Sequence, residues 1–157
     1  MVALRIEQRP GVYEGAAIPE PIAIRCGVGK ARAGPWSDMG LPCYSGALRY
    51  RKQVELSEAH LRGRLILDLG RVAATAEVRV NGKPCGARVA PPWEFDVTDA
   101  ARPGANTIEA LVTNTLAAHF SEACPTPYVY AGQTLSGLMG PVRLVAVSYT
   151  HLRAHET

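Results

Sequence analysis

The segment Ala76-Glu77-Val78-Arg79-Val80-Asn81-Gly82-Lys83 leaves this chain the least conformational choice. Ala76, Val78 and Val80 alternate with Glu77 and Arg79, the period of a strand with one face in a core and the other in water. Asn-Gly follows at once. That pair suits a two-residue type I′ hairpin, because both central positions need φ > 0. The segment therefore predicts a strand, a tight turn, and a returning strand over Lys83–Val89.

Similar short runs recur along the chain. They are Leu4–Gln8, Ile22–Cys26, Ala47–Leu56, Arg64–Leu69, Glu94–Val97, Ile108–Thr113 and Val142–Ala146. In Arg64–Leu69 the residues Leu65, Leu67 and Leu69 fall on one face. Punctuation separates the runs: Pro10 to Pro21 is rich in Gly and Pro, Gly27 to Gly46 reads as a loop, and Pro103-Gly104 marks a turn. Ser57 to Arg62 predicts one turn of helix with Ser57 as its N-cap, and Asp99–Ala101 predicts another. No long amphipathic helix and no repeated unit is present. Turns at intervals of about 8–12 residues predict an all-β sandwich with little helix.

Composition removes several function classes. The chain has 157 residues, is 47% hydrophobic and carries a net charge of +3. One domain of this length buries a sizeable core, and this composition is not that of a disordered tail. The charge is small and scattered, without the basic cluster that nucleic acid requires. No apolar run approaches the roughly 18 residues of a membrane span. Arg5, Glu7 and Arg9 do not suit a secretory h-region. Met1 is expected to be an internal start, however, so the compartment stays unknown, extracellular or periplasmic if a parent protein is secreted.

Further groups of residues carry a resemblance. Gly34–Tyr50 reads GPWSDMGLPCYSGALRY and precedes Leu67-Asp68-Leu69-Gly70. The hairpin segment follows, then Phe95-Asp96-Val97-Thr98-Asp99, Pro103-Gly104-Ala105-Asn106-Thr107 and Leu111-Val112-Thr113-Asn114. In this order they resemble the galactose-binding-like jelly-roll domain of large glycoside hydrolases, such as family 2 β-galactosidases and β-mannosidases. The ending Ser136-Gly137-Leu138-Met139-Gly140-Pro141-Val142 is similar to C-terminal sandwiches of bacterial α-L-rhamnosidase-like hydrolases. The resemblance covers about Ile22 to Ala146. It implies a galactose-binding-like jelly-roll β-sandwich that packs on the catalytic domain of its parent chain and presents a sugar-binding rim to plant or microbial glycans. Two alternatives stand beside it: a free-standing lectin-like protein, and a protein-interaction or adhesion sandwich. Each motif also has a purely structural use. Phe95 reads as a buried anchor and Asp99 as a neighbouring cap.

Sugars are held by aromatic faces and planar polar side chains. The candidates are Trp36, Asp38 and Tyr44 in the first long loop, Trp93 and Glu94 after Pro91-Pro92, and Asn114, His119 and Tyr128 after the Ile108 strand. The competing use of Trp36, Tyr44 and Trp93 is to plug the ends of the sandwich. If the resemblance extends to lending a loop to a neighbouring barrel, Asn114 and His119 are the residues for it.

No catalytic set emerges. Glycoside hydrolysis needs two carboxyls roughly 5–10 Å apart across a cleft, and Asp68, Glu77 and Asp96 read as solvent-facing or capping positions. The chain is shorter than the roughly 250-residue barrel that carries such chemistry. Cys26, Cys43, Cys85 and Cys124 lack Cys-x-x-Cys spacing, which argues against zinc and leaves disulfides or free buried thiols open. Ser45 lacks a nucleophile elbow, and Gly27-Val28-Gly29 lacks the rest of a dinucleotide fingerprint. No cluster of Asp and Asn identifies a structural calcium, so no cofactor is assigned. Finally, Val147–Thr157 reads VSYTHLRAHET. One reverse translation of it matches the adapter of transposase-based sequencing libraries. Residues 1–146 are thus expected to form one domain of a longer hydrolase, and His151 and His155 lose their claim to be a metal pair.

Overall fold

A computed structural model describes residues 29–122, 129–130 and 132–147. The chain divides into two units, Met1–Lys30 and Ala31–Thr157, and the architecture below belongs to the second. The strands expected at Leu4–Gln8 and Ile22–Cys26 lie outside the described residues, as does the tail beyond Val147.

In chain order the strands are β1 (Gly34–Pro35), β2 (Ala47–Leu56), β3 (Arg64–Asp68), β4 (Arg71–Ala73), β5 (Thr75–Val80), β6 (Lys83–Arg88), β7 (Glu94–Asp96), β8 (Gly104–Thr113), β9 (Gly137–Gly140) and β10 (Arg143–Val147). Among the described residues, helix is limited to α1 (Ala117–Glu122) and three 3₁₀ turns at Trp36–Met39, Glu58–Leu61 and Thr98–Ala100. The chain is all-β with little helix, as its periodicity predicts.

The strands form three antiparallel sheets, ordered β2-β8-β5-β6, β10-β3-β7 and β1-β9-β4. The path passes repeatedly from one sheet to another, so each sheet is built from segments distant in sequence. β8 is the backbone of the largest sheet: its whole length, Gly104 to Thr113, pairs with β2 on one side, and β5 lies on the other.

The inward faces of the three sheets share one core. It holds Val78, Val80, Ala110 and Val112 from the four-stranded sheet, Leu65, Leu67 and Phe95 from the second, and Val72 and Leu138 from the third. Leu65, Leu67 and Leu69 are each 1% exposed, and Ala76, Val78 and Val80 no more than 2%. Burying each Val or Leu contributes roughly 1.5–3 kcal/mol before the cost of ordering the chain is set against it.

Asn81 (φ 52°) and Gly82 (φ 81°) close the β5–β6 turn with the positive angles expected of a type I′ hairpin. Asn81 does more than turn the chain. Its Nδ2 donates to the Ala100 carbonyl and to Asn106 Oδ1, and its Oδ1 accepts the Thr107 N–H. Asn106, 1% exposed, shapes the entry to β8 by donating to the carbonyls of Arg102 and Gly104.

Several local expectations shift. The helical turn after Ser57 is 3₁₀, and its N3 residue is His60, whose Nδ1 accepts the Ser57 N–H as a Glu would in a capping box. The turn expected at Asp99–Ala101 begins one residue earlier. It has no side-chain cap: its N-cap is Val97, and Asp96 just before it accepts from Thr98 N and Oγ1, while Asp99 lies inside the turn. β8 starts at Gly104, four residues before the apolar alternation, because Ala105 and Thr107 carry no pattern of their own. β1, β4 and β9 are two to four residues long, too short for periodicity to register.

Candidate functional site

The first loop, the exit of β8 and the entry to β9 meet at one corner. Trp36 opens the 3₁₀ turn with no exposed surface, and its Nε1–H donates to the Tyr50 hydroxyl at 2.7 Å. The Tyr44 ring lies 5.5 Å from the Trp36 ring, tilted by 58°, and its hydroxyl donates to the Ala47 carbonyl. Asn114 ties the corner together: Nδ2 donates to Tyr44 O at 2.7 Å and Ser136 Oγ at 2.9 Å, while Oδ1 accepts the Gly46 N–H at 2.8 Å. The backbone N–H of Asn114 donates to Gly46 O, and Ser45 Oγ donates to Thr115 O.

This arrangement is a plug. Trp36 has no face left for a ligand, and Trp93, 7% exposed, also lies in the core. Both N–H donors of the Asn114 amide and one acceptor site of its oxygen are engaged by backbone and Ser136. The corner thus gathers Trp36, Tyr44 and Asn114, but chiefly toward one another. Asp38, Glu94 and His119 are exposed. Asp38 accepts a long hydrogen bond from Ser37, Glu94 sits opposite Asp68 on β7, and the His119 ring stands edge-on to Phe120. Among the described residues no hydrogen bond or ring contact joins these three to the corner. Tyr128 lies outside the described residues, as do Cys26, Cys124, His151 and His155.

Asp68 and Asp96 each accept a backbone N–H two residues on. Asp68 Oδ1 accepts the Gly70 N–H at 2.7 Å. Asp96 accepts from Thr98 Oγ1 and N, and from Arg64 Nε and Nη2 at 3.0 and 2.9 Å. The Thr98 hydrogen bonds foremost, with the Arg64 guanidinium, hold its carboxyl below the ordinary carboxylate value. A general acid in glycoside hydrolysis needs the opposite shift. Cys43 and Cys85 are free, and burial pushes the Cys85 thiol up, away from the reactive thiolate. Among the described residues no group of three or more His, Cys, Asp or Glu is placed to hold a metal ion.

One feature escapes sequence reasoning. The outward face of the four-stranded sheet carries a recess of about 380 Å³ lined by Arg49, Glu77, Arg79, Gly82, Glu109 and Leu111. Register brings these residues together: Arg49 faces Leu111 and Leu111 faces Glu77, while in the next row Arg51 faces Glu109 and Glu109 faces Arg79. Their outward positions were legible from alternation. Their neighbours were not, since pairing β2 with β8 joins segments about 60 residues apart.

No protein-family profile matches the chain. A protein of Formosa agariphila named as a β-glucuronidase is 42% identical over 77 residues, which are 48% of this chain and 7% of that protein. The solved structure of a rhamnosidase from Novosphingobium sp. PP1Y superposes with a TM-score of 0.54 at 36% identity, over 64% of this chain and 11% of its own. A calcium-binding mutant of β-glucuronidase 2 from Bacteroides uniformis gives 0.51 at 25% identity, over 64% of this chain and 12% of its own. These relatives are glycoside hydrolases, and the chain spans only a small part of each. That relation fits an accessory domain of a glycoside hydrolase.

Proposed function

We propose that the chain is a non-catalytic accessory module of an α-L-rhamnosidase-like glycoside hydrolase, a galactose-binding-like jelly roll that packs on the catalytic domain of its parent. The observation that carries this reading is the small share, 7–12%, that the chain spans of its glycoside hydrolase relatives. The chemistry agrees with it. Asp68 is engaged by the Gly70 N–H, and Asp96 is held ionised by Thr98 and Arg64, so Asp96 is not poised to donate a proton. Packing on a larger body also suits the exposed aliphatics Val142 and Val145 and the exposed Leu116 and Phe120, which a free module would leave in water.

The test is to sequence the source locus on both sides of this chain and to assay the purified protein on chromogenic α-L-rhamnoside and β-glucuronide. The expected result is an open frame that continues into a barrel with two facing carboxylates, and no hydrolysis by this chain alone. A nearby start with a secretion signal and a stop soon after Ala146 would replace this reading with a free-standing lectin-like protein. Hydrolysis by the isolated chain would overturn it directly.

A further inference from the structure

The recess on the outward face of β2, β8 and β5 stands apart from the plugged corner, and its composition is specific. Arg49 and Arg79 lie diagonally across β8, on strands two spacings or about 9–10 Å apart. Both side chains are exposed, and among the described residues neither guanidinium makes an ion pair or hydrogen bond. Glu109 between them has only a loose contact with Arg51 at 3.9 Å, and Glu77 has no partner among the described residues. Leu111, half-buried, forms an apolar floor, and Gly82 at the mouth leaves open space where a side chain would stand. All but Gly82 sit on paired strands, so the spacing of the groups is set by the sheet.

We infer that this recess is a binding site for an acidic saccharide, a sugar that carries a carboxylate beside free hydroxyls. Guanidiniums are forked donors that match a carboxylate and also reach hydroxyl oxygens. Glu77 and Glu109 accept from hydroxyl hydrogens, which a carboxylate does and an amide donor cannot. Leu111 meets the C–H face of a pyranose ring. Arg49 and Arg79 have no carboxylate partner among the described residues, so a ligand carboxylate can engage them and a neutral sugar leaves them unmatched. The inference rests on reading the chain as a module of a saccharide-processing protein, and it moves sugar contact from the loop corner to the sheet face.

The experiment is an amide chemical-shift titration of the whole chain with digalacturonate, with cellobiose as the uncharged comparison. Digalacturonate is expected to move the amides of Arg49, Glu77, Arg79 and Leu111, with binding that weakens as salt rises. Cellobiose is expected to bind less tightly. The double variant Arg49→Ala with Arg79→Ala, which alters exposed side chains only, is expected to lose at least about tenfold in affinity with an unchanged melting temperature. No shifts at all, equal binding of the two sugars, or wild-type affinity in the double variant would each overturn the site. Shifts confined to residues 36–46 and 114–116 would also overturn it and return sugar contact to the corner. In none of these cases is the accessory-module reading touched, because the flanking genomic sequence decides that separately. If the double variant does not fold, the wild-type shift map alone still decides the site.

Discussion

Asn106 shows how this fold buries a polar residue without penalty. Its Oδ1 accepts from Asn81 Nδ2 at 2.8 Å and from the Arg102 N–H at 2.9 Å, and its Nδ2 donates twice to carbonyls. All four hydrogen-bonding sites of the amide are filled. Asn106→Ala strands the Asn81 amide and the Arg102 N–H, and is expected to cost about 3 kcal/mol, read as a lower urea midpoint with unchanged m. A cost below about 1 kcal/mol would mean that water replaces the network. Asp96 makes a different prediction. Its folded-state pKa is lowered, so its contribution is present above the unfolded value of about 4 and is lost as pH falls through the lowered value. Asp96→Asn is therefore expected to be somewhat less stable than the parent near pH 7, with the gap closing as pH falls below the unfolded value and through the lowered one. The carboxylate is 45% exposed, so the gap is small. A gap that does not change with pH would sink the assignment.

Elements here are joined by short connections that tolerate little change. Gly70 adopts φ 69° and forms a bridge to Gly140, so that a Cβ at Gly70 would lie 2.4 Å from the Gly140 carbonyl carbon and 2.5 Å from its oxygen. Gly70→Ala thus strains one backbone and collides with another. It is expected to cost on the order of 3 kcal/mol or more, or to prevent folding, because a backbone cannot swing aside as a side-chain tip does. Gly82→Ala is the contrast: nothing stands within 4 Å of its Cβ position, so only the strain of φ 81° remains, about 1 kcal/mol. Thermal unfolding of the two variants side by side separates collision from strain. Equal melting temperatures would show that the β4–β9 junction yields more easily than its geometry implies. Element boundaries were legible to within a residue in β2, β3 and β5, but not at the start of β8, where alternation sets in only at Ile108. They were not legible in β1, β4 and β9, which owe their strand form to neighbours and not to their own residues.

At the scale of the whole molecule, local pattern and assembled structure divided the work. The sequence by itself determined the all-β class, the Asn81-Gly82 turn and the inward faces of β3 and β5, because period two and a positive-φ turn are written within a few residues. It also identified Trp36, Tyr44 and Trp93 as end plugs in one of its two readings, since large aromatics beside turns have only a few uses. Only the tertiary structure shows Trp36 enclosed and the Asn114 amide joined to Tyr44, Gly46 and Ser136. It alone decided that Arg49, Glu77, Arg79 and Glu109 share one recess. The reason is physical. A strand's own residues say which of its side chains face water, but the partner beside them is set by register, and register between distant strands is settled by how the entire core packs.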